Sequence, residues 1–171
     1  MNWTRTVLDG FAIAAYSNLF AGFVALYRPR LMFPCYLPAI IKAAKDPPTG
    51  VENRFYWLWI CFGKLLPLLL YGAVSTVEGG TTGFWVLLLT AYIQWMMVNF
   101  CDLFFLDCWL IQRKAKSRFI IPGTEGHPGY GFNAWVKDYA LPEYLLQWPF
   151  LMCPILAAAQ AGLGLLIDIF W

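Results

Sequence analysis

A long and almost uninterrupted apolar segment, residues 84–112, most constrains how this chain can fold. It ends at the basic segment RKAKSR, residues 113–118. An apolar run longer than the roughly 20 residues needed to cross a bilayer, closed by positive charges, is typical of a membrane-spanning helix. Composition agrees, because 60% of the 171 residues are hydrophobic and only 13% are charged. The sequence therefore predicts an integral membrane protein.

Three further apolar segments accompany this one, so we expect four membrane spans. The predicted spans are residues 8–27, 55–74, 84–112 and 144–170. The first is expected to remain as an anchor, because Asp9 interrupts its start and no small-residue cleavage site follows it. Pro149 and Pro154 are expected to kink the first half of the fourth span. The predicted fold is all-α, one domain over residues 1–171 built as a four-helix transmembrane bundle.

Positive charges predict the orientation of this bundle. Of the 12 Lys and Arg residues, all but Arg5 and Lys64 lie in the first and third connections between spans. Because positive charges collect on cytoplasmic connections, we expect both of these inside and both termini outside (N-out, C-out). Both connections are predicted to be structured. Residues 31–41 are apolar but too short to span, which indicates an interfacial segment, and residues 119–131 form a Pro/Gly-rich loop.

Two spans carry charged side chains near the middle of the bilayer. Lys64 and Asp102 each lie roughly 15 Å from the cytoplasmic end, at about 1.5 Å of rise per residue. Their spans are joined by the short link 75–83 and are expected to be antiparallel neighbours, so an ion pair is geometrically natural. Asn99 lies three residues before Asp102, where it can hydrogen-bond that carboxylate. Lys64, Asn99 and Asp102 are therefore the candidate intramembrane polar site.

Three further residues are candidates for the cytoplasmic mouth of this site: Asp107, Glu125 and His127. Five residues separate Asp107 from Asp102, which places the two carboxylates about 140° apart on an α-helix. We therefore expect Asp107 to meet interfacial water or the basic cluster that follows it. Glu125 is expected to turn towards the same cluster or the mouth. The basic cluster, a candidate contact for anionic lipid head groups, comprises Arg113, Lys114, Lys116 and Arg118.

These residues leave three functions open. Passage of a proton, an ion or a small solute through the polar site is the leading hypothesis. The first alternative is an accessory or assembly subunit whose buried ion pair only fixes helix packing. The second is a lipid-acting enzyme that uses Asp107, Glu125 and His127 as acid and base. No hydrolase, metalloprotease or nucleotide-binding motif occurs in the sequence, so we assign no catalytic residue and favour catalysis least.

Composition also narrows the partners. The five cysteines are scattered without metal-binding spacing and there is one His, so we expect no metal site and no other cofactor. The basic residues form no stripe that would indicate nucleic acid. We expect the lipid bilayer as the surroundings. A homo-oligomer or another membrane protein is the expected partner, because four helices enclose little space for a pathway.

A resemblance rests on two motifs, Asn99-Phe100-Cys101-Asp102 through Asp107 and Ile121-Pro122-Gly123-Thr124-Glu125. Together they resemble a group of small multi-pass bacterial membrane proteins that pair an N-x-x-D-x-x-x-x-D helix with an I-P-G-T-E loop. The resemblance implies the cytoplasmic (inner) membrane of a bacterium and implies no activity. It further implies that the carboxylates of the third span and the Pro-Gly-Thr-Glu loop form one site.

Overall fold

The computed structural model describes residues 1–170, which are mostly helical and include no β-strand. In chain order the helices are α1 (Trp3–Tyr27), α2 (Pro38–Ala43), α3 (Gly50–Glu78), α4 (Phe84–Lys114) and α5 (Phe132–Phe170). All of these except α2 are long and apolar enough to cross a membrane. The prediction of an all-α chain with four candidate spans is therefore confirmed.

Polar first turns extend the helices beyond the apolar segments that predicted them. At the start of α1, Asn2 Oδ1 accepts a hydrogen bond from Arg5 N at 3.1 Å. At the start of α3, Thr49 and Glu52 form a capping box. Such caps satisfy backbone N–H groups of the first turn that have no partner within the helix. An apolar segment marks only the part of a helix suited to lipid, so α1, α3 and α5 begin before the predicted spans, while α4 begins with its span at Phe84.

Three stretches of the long helices are wider than an α-helix, with backbone hydrogen bonds between residues five apart. These widened stretches are Trp59–Leu65 in α3, Asp102–Lys114 in α4 and Val136–Met152 in α5. The third contains Pro142 and Pro149, whose rings and missing N–H groups do not fit a regular α-helical ladder. Pro154 lies just beyond it, in regular helix. The irregularity expected in the fourth span therefore takes the form of a widening.

The four long helices pack around a common core. Helices α1 and α5 each pack against both α3 and α4, while α3 and α4 lie mostly across the bundle from each other. This differs from the expectation that α3 and α4 would be neighbours. Their link, residues 79–83, takes a tight path in which Gly80 and Gly83 have φ of 75° and 82°, values that side chains with a Cβ rarely adopt. The core includes Ile13, Leu68, Trp95, Val98 and Leu156.

The first and third connections fold together at one end of the bundle. Phe33, Ile40 and Ile121 form a buried cluster that joins them. The segment expected at the interface, residues 31–41, lies in a 3-10 turn (Pro29–Cys35) and the first residues of α2. Because Phe33 and Ile40 are buried against Ile121, this segment packs against the third connection as well as lying at the end of the bundle.

The Pro/Gly-rich loop, residues 119–131, forms a compact turn. Thr124 Oγ1 donates a hydrogen bond to the Ile121 carbonyl oxygen at 2.7 Å. Tyr130 Oη accepts one from Ile121 N at 2.9 Å. These bonds close the loop on itself, so it is an ordered cap on the end of the bundle.

Candidate functional site

An ion pair crosses the bundle between α3 and α4. Lys64 Nζ lies 3.3 Å from Asp102 Oδ2, and both residues are buried. The second oxygen, Asp102 Oδ1, accepts hydrogen bonds from Ser17 Oγ at 3.3 Å and Asn18 Nδ2 at 2.9 Å, both on α1. Within residues 1–170, the ammonium group bonds no other side chain than Asp102. The Asp102 carboxylate is therefore bonded by side chains of both α1 and α3, whereas the Lys64 ammonium group is bonded by a side chain of α4 alone.

Asn99 is buried, but it does not bond Asp102 as we expected. Its Nδ2 donates to the carbonyl oxygen of Tyr144 at 2.9 Å. In the widened stretch of α5, that carbonyl would accept from the backbone N–H of residue 149, and Pro149 has none. Asn99 supplies a side-chain donor to this carbonyl in place of that backbone N–H. Its role is thus to tie α4 to α5 beside the charged pair.

Asp107 faces the inside of the bundle, contrary to the expectation that it would meet interfacial water or the basic cluster. It is 6% exposed, and its Oδ2 accepts a hydrogen bond from Tyr144 Oη at 2.8 Å. The expected angle of about 140° from Asp102 assumed α-helical geometry. Asp107 instead follows Asp102 along a widened stretch, where residues five apart lie on about the same side. The widening turns the second carboxylate inward.

A cavity of about 180 Å³ lies beside these carboxylates, in the half of the bundle nearest the folded connections. Lys64, Asp102 and Asp107 line it, together with Glu143 of α5. All four lie in the widened stretches, a helical form that is frequent at functional sites. Much of the remaining wall is aromatic and includes Tyr36, Tyr56, Trp135, Tyr139 and Trp148. The site therefore combines charged groups with aromatic rings around an open volume.

Sequence reasoning missed several residues of this site. The predicted fourth span begins at residue 144, which leaves Glu143 in a connection. In the structure Glu143 lies within α5, and its Oε1 accepts a hydrogen bond from Trp148 Nε1 at 3.2 Å. Ser17 and Asn18 were detectable, because two adjacent polar residues inside a predicted span are themselves a signal. Tyr144 bonds Asp107 through its hydroxyl and Asn99 through its carbonyl oxygen, and its place at the start of the predicted fourth span indicated neither bond.

A second polar cluster, also missed, lies at the other end of the bundle, where α1 begins and α3 ends. Asp9 is 4% exposed, and its Oδ2 accepts hydrogen bonds from Ser75 Oγ at 2.8 Å and Arg5 Nε at 3.3 Å. Tyr71 Oη donates to Asp9 Oδ1 at 3.2 Å. Both carboxylate oxygens are thus bonded by the chain itself, and the cluster ties α1 to α3.

A buried hydrogen-bond chain occupies the bundle between these two clusters. Trp95 Nε1 donates to Gln160 Oε1 at 2.9 Å, and Gln160 Nε2 donates to Gln94 Oε1 at 2.7 Å. All three side chains are at most 2% exposed. These hydrogen bonds join α4 to α5 within the apolar core. Buried side chains therefore fill the half of the bundle between the ion pair and the Asp9 cluster.

Glu125 turns back onto its own loop instead of towards the basic cluster or the mouth beside Asp107. It is exposed, and its Oε1 accepts a hydrogen bond from Gly123 N at 3.0 Å. That backbone donor lowers the pKa of the Glu125 carboxyl, and the positive charge of Lys45 lowers it further. The tight turn places a backbone N–H closer to this carboxylate than any basic side chain, which explains the difference from our expectation.

His127 also serves its own turn. Its Nδ1 accepts a hydrogen bond from Gly129 N at 3.1 Å, which caps the 3-10 turn Pro128–Tyr130. Neither His127 nor Glu125 lines the cavity that Asp107 borders. The convergence of these three side chains, which the enzyme hypothesis requires, is therefore not found in the described residues.

The basic cluster divides into two parts. Three of its residues are exposed at the end of α4 and beyond it: Arg113, Lys114 and Arg118. Lys116 is half-buried and lines the cavity. The exposed cations are free to contact anionic lipid head groups, whereas Lys116 belongs to the cavity wall.

Cys35, in the connection between α1 and α3, lines the cavity. Its Sγ lies 3.0 Å from Tyr56 Oη, and burial raises the pKa of the Cys35 thiol to about 11. The thiol is therefore protonated at neutral pH and is a poor nucleophile. Among residues 1–170, no group of three or more His, Cys, Asp or Glu side chains is placed to hold a metal ion.

No protein-family model, curated protein or solved structure matches this chain.

Proposed function

We propose that this chain is a multi-pass membrane protein that passes a proton, an ion or a small solute through the site around Lys64 and Asp102. The position of the ion pair carries this proposal, since it borders a cavity of about 180 Å³. A pair that only fixed packing would be expected in a dry core. One water needs a cavity of roughly 10–15 Å³, so this volume has room for several waters or a small solute.

Insertion of the four long helices in a membrane is the first part of the proposal. Large apolar side chains on these helices are more than half exposed, among them Phe11, Phe23, Trp85, Phe104 and Phe150. So much exposed apolar surface is unfavourable in water and is expected of a face that meets lipid. We propose a cytoplasmic (inner) membrane of a bacterium, with both basic connections inside and both termini outside. The distribution of positive charge supports this orientation.

The route is proposed to run from the basic end through the cavity to Asp102. Beyond Asp102, the chain of Trp95, Gln160 and Gln94 lies between the cavity and the Asp9 cluster. Because this half is filled by side chains, passage requires it to rearrange. A homo-oligomer or another membrane protein is part of the proposal, because a second surface beside the bundle would enclose more of the route.

Cysteine labelling tests the orientation. In a variant without the native cysteines, Lys42→Cys and Glu78→Cys introduce one thiol at each end of the bundle. We expect a membrane-impermeant maleimide to label Lys42→Cys only from the cytoplasmic side and Glu78→Cys only from outside. Labelling of the Glu78→Cys variant from the cytoplasm would contradict the proposed topology.

Reconstituted liposomes test passage itself. The full chain is reconstituted, and proton entry is followed with an internal pH-sensitive dye while small-solute entry is followed by light scattering. We expect at least one flux to exceed that of empty liposomes and to be abolished by Asp102→Asn. The matched control is Asp168→Asn, which changes an exposed carboxylate of α5 and should leave the flux unchanged. Neither flux above empty liposomes, or equal flux in the Asp102→Asn variant, would refute the proposal.

A further inference from the structure

Two carboxylates of the cavity lack a positive partner. Lys64 and Asp102 offset each other at 3.3 Å. Asp107 and Glu143 also line the cavity, and neither lies within ion-pair distance of a basic group in the described part of the chain. Lys116 contributes one positive charge to the wall. When all of these groups are ionised, three carboxylates face two ammonium groups, so the lining has one negative charge in excess.

The hydrogen bonds of these carboxylates leave capacity for a ligand. Among residues 1–170, the Asp107 carboxylate accepts a side-chain hydrogen bond from Tyr144 alone, on Oδ2. Glu143 accepts one from Trp148 on Oε1, and the Tyr139 hydroxyl also lies within bonding reach of its carboxylate. Asp107 thus keeps an oxygen without a side-chain donor. Asp107 is more than nine-tenths buried, and a buried carboxylate without a cation is unfavourable unless a ligand or a proton joins it.

The wall around these carboxylates suits a cation that also has an apolar body. Nine aromatic residues line the cavity, among them Tyr36, Tyr56, Trp135, Tyr139 and Trp148. The negative face of an aromatic ring attracts ammonium groups, and aromatic walls recognise quaternary ammonium ligands. The aromatic rings of the wall and the methyl groups of such a ligand would together exclude water from the cavity. Exclusion of water strengthens the attraction between the positive charge of the ligand and the carboxylates of Asp107 and Glu143.

We infer that the cavity binds a small monovalent organic cation, with its charged nitrogen against Asp107 and Glu143 and its apolar groups against the aromatic wall. The inference rests on the proposed function and names the class of solute. The volume of about 180 Å³ restricts the ligand to a molecule smaller than those in pockets of roughly 300–1,000 Å³, which hold drug-sized compounds. An anion is disfavoured by the two unpaired carboxylates. A bare metal ion would lack a sufficient group of ligands.

Equilibrium binding to the purified full chain in dodecylmaltoside, free of choline lipids, tests the inference. The probes are choline and its uncharged isostere 3,3-dimethylbutan-1-ol, which have the same shape and differ in charge. We expect choline to bind at least about tenfold more tightly, since each tenfold in affinity requires about 1.4 kcal/mol and a desolvated cation–π contact supplies up to about 2 kcal/mol. Equal binding of the two probes, or no choline binding, overturns the inference.

Variants locate the binding. Asp107→Asn and Glu143→Gln should each weaken choline binding about tenfold or more, while Asp138→Asn, an exposed carboxylate on the same helix as Glu143, should leave it unchanged. Two independent variants guard against a folding defect in one, and the size-exclusion profile and helical circular dichroism of each identify such a defect. Choline binding that survives both substitutions overturns the inference. If choline binds but neither flux is found in liposomes, this inference stands and the proposed passage is refuted. If a flux is found but choline does not bind, the proposed passage stands and this inference is refuted.

Discussion

The coupling between Lys64 and Asp102 is the most direct test of how the bundle is held together. At 3.3 Å and an effective dielectric constant of about 20, two unit charges attract by about 5 kcal/mol, which is an upper limit for this pair beside a cavity. In Lys64→Met, Asp102 keeps its donors Ser17 and Asn18. In Asp102→Asn, Lys64 is left without a carboxylate partner. The structure therefore predicts unequal effects of the two substitutions.

We expect Asp102→Asn to lower the free energy of unfolding by about 3–5 kcal/mol, since it leaves an uncompensated buried charge. Lys64→Met should cost about 1–3 kcal/mol, because two hydrogen bonds still satisfy the remaining carboxylate. The double variant removes both charges and should be more stable than Asp102→Asn alone. The coupling energy is then expected to exceed about 1 kcal/mol.

The measurement is reversible unfolding in mixed dodecylmaltoside and dodecyl sulfate micelles, followed by circular dichroism for all four proteins at one pH. Asp168→Asn serves as the control for loss of an exposed carboxylate. Effects that add to within about 0.5 kcal/mol would refute the reasoning, because they would mean that the two side chains do not interact in the folded protein.

Two further predictions concern packing and ionisation. In Gly72→Ala the new Cβ would lie 2.5 Å from Gln160 Nε2, so we expect a loss of about 1–3 kcal/mol in the same unfolding assay. Gly162→Ala meets nothing within 4 Å and should be neutral or stabilising; equal losses would contradict this packing. Since the pKa of Cys35 is raised to about 11, its thiolate fraction is small at pH 8 and grows with pH. Mass spectrometry should therefore find slow maleimide modification of Cys35 at pH 8 beside an exposed Lys42→Cys control, and equal rates would contradict the raised pKa.

The number of helices long and apolar enough to span a membrane, and the Lys64–Asp102 pair, were accessible from the sequence. Apolar length sets how many helices can cross a bilayer, and rise per residue sets the depth of a charge along each helix. Both quantities depend on local chain geometry alone. Equal depth matched Lys64 with Asp102, and the pair forms although α3 and α4 lie mostly across the bundle from each other and are not the close neighbours that the prediction also assumed.

The directions of side chains around each helix were decided by tertiary structure. Asp107 turns inward because α4 widens after Asp102, and Asn99 bonds the Tyr144 carbonyl because Pro149 cannot. An α-helical period applied to the sequence fails at such places, since the hydrogen-bond register of a helix responds to prolines and to the helices packed against it. Glu125 also departs from its predicted contact. Its carboxylate bonds the nearby backbone N–H of Gly123 in a tight turn, and not the basic side chains that the sequence suggested. The depth of a side chain along its helix axis follows from local chain geometry alone. The direction of that side chain around the axis depends on packing, which therefore decided which residues line the cavity.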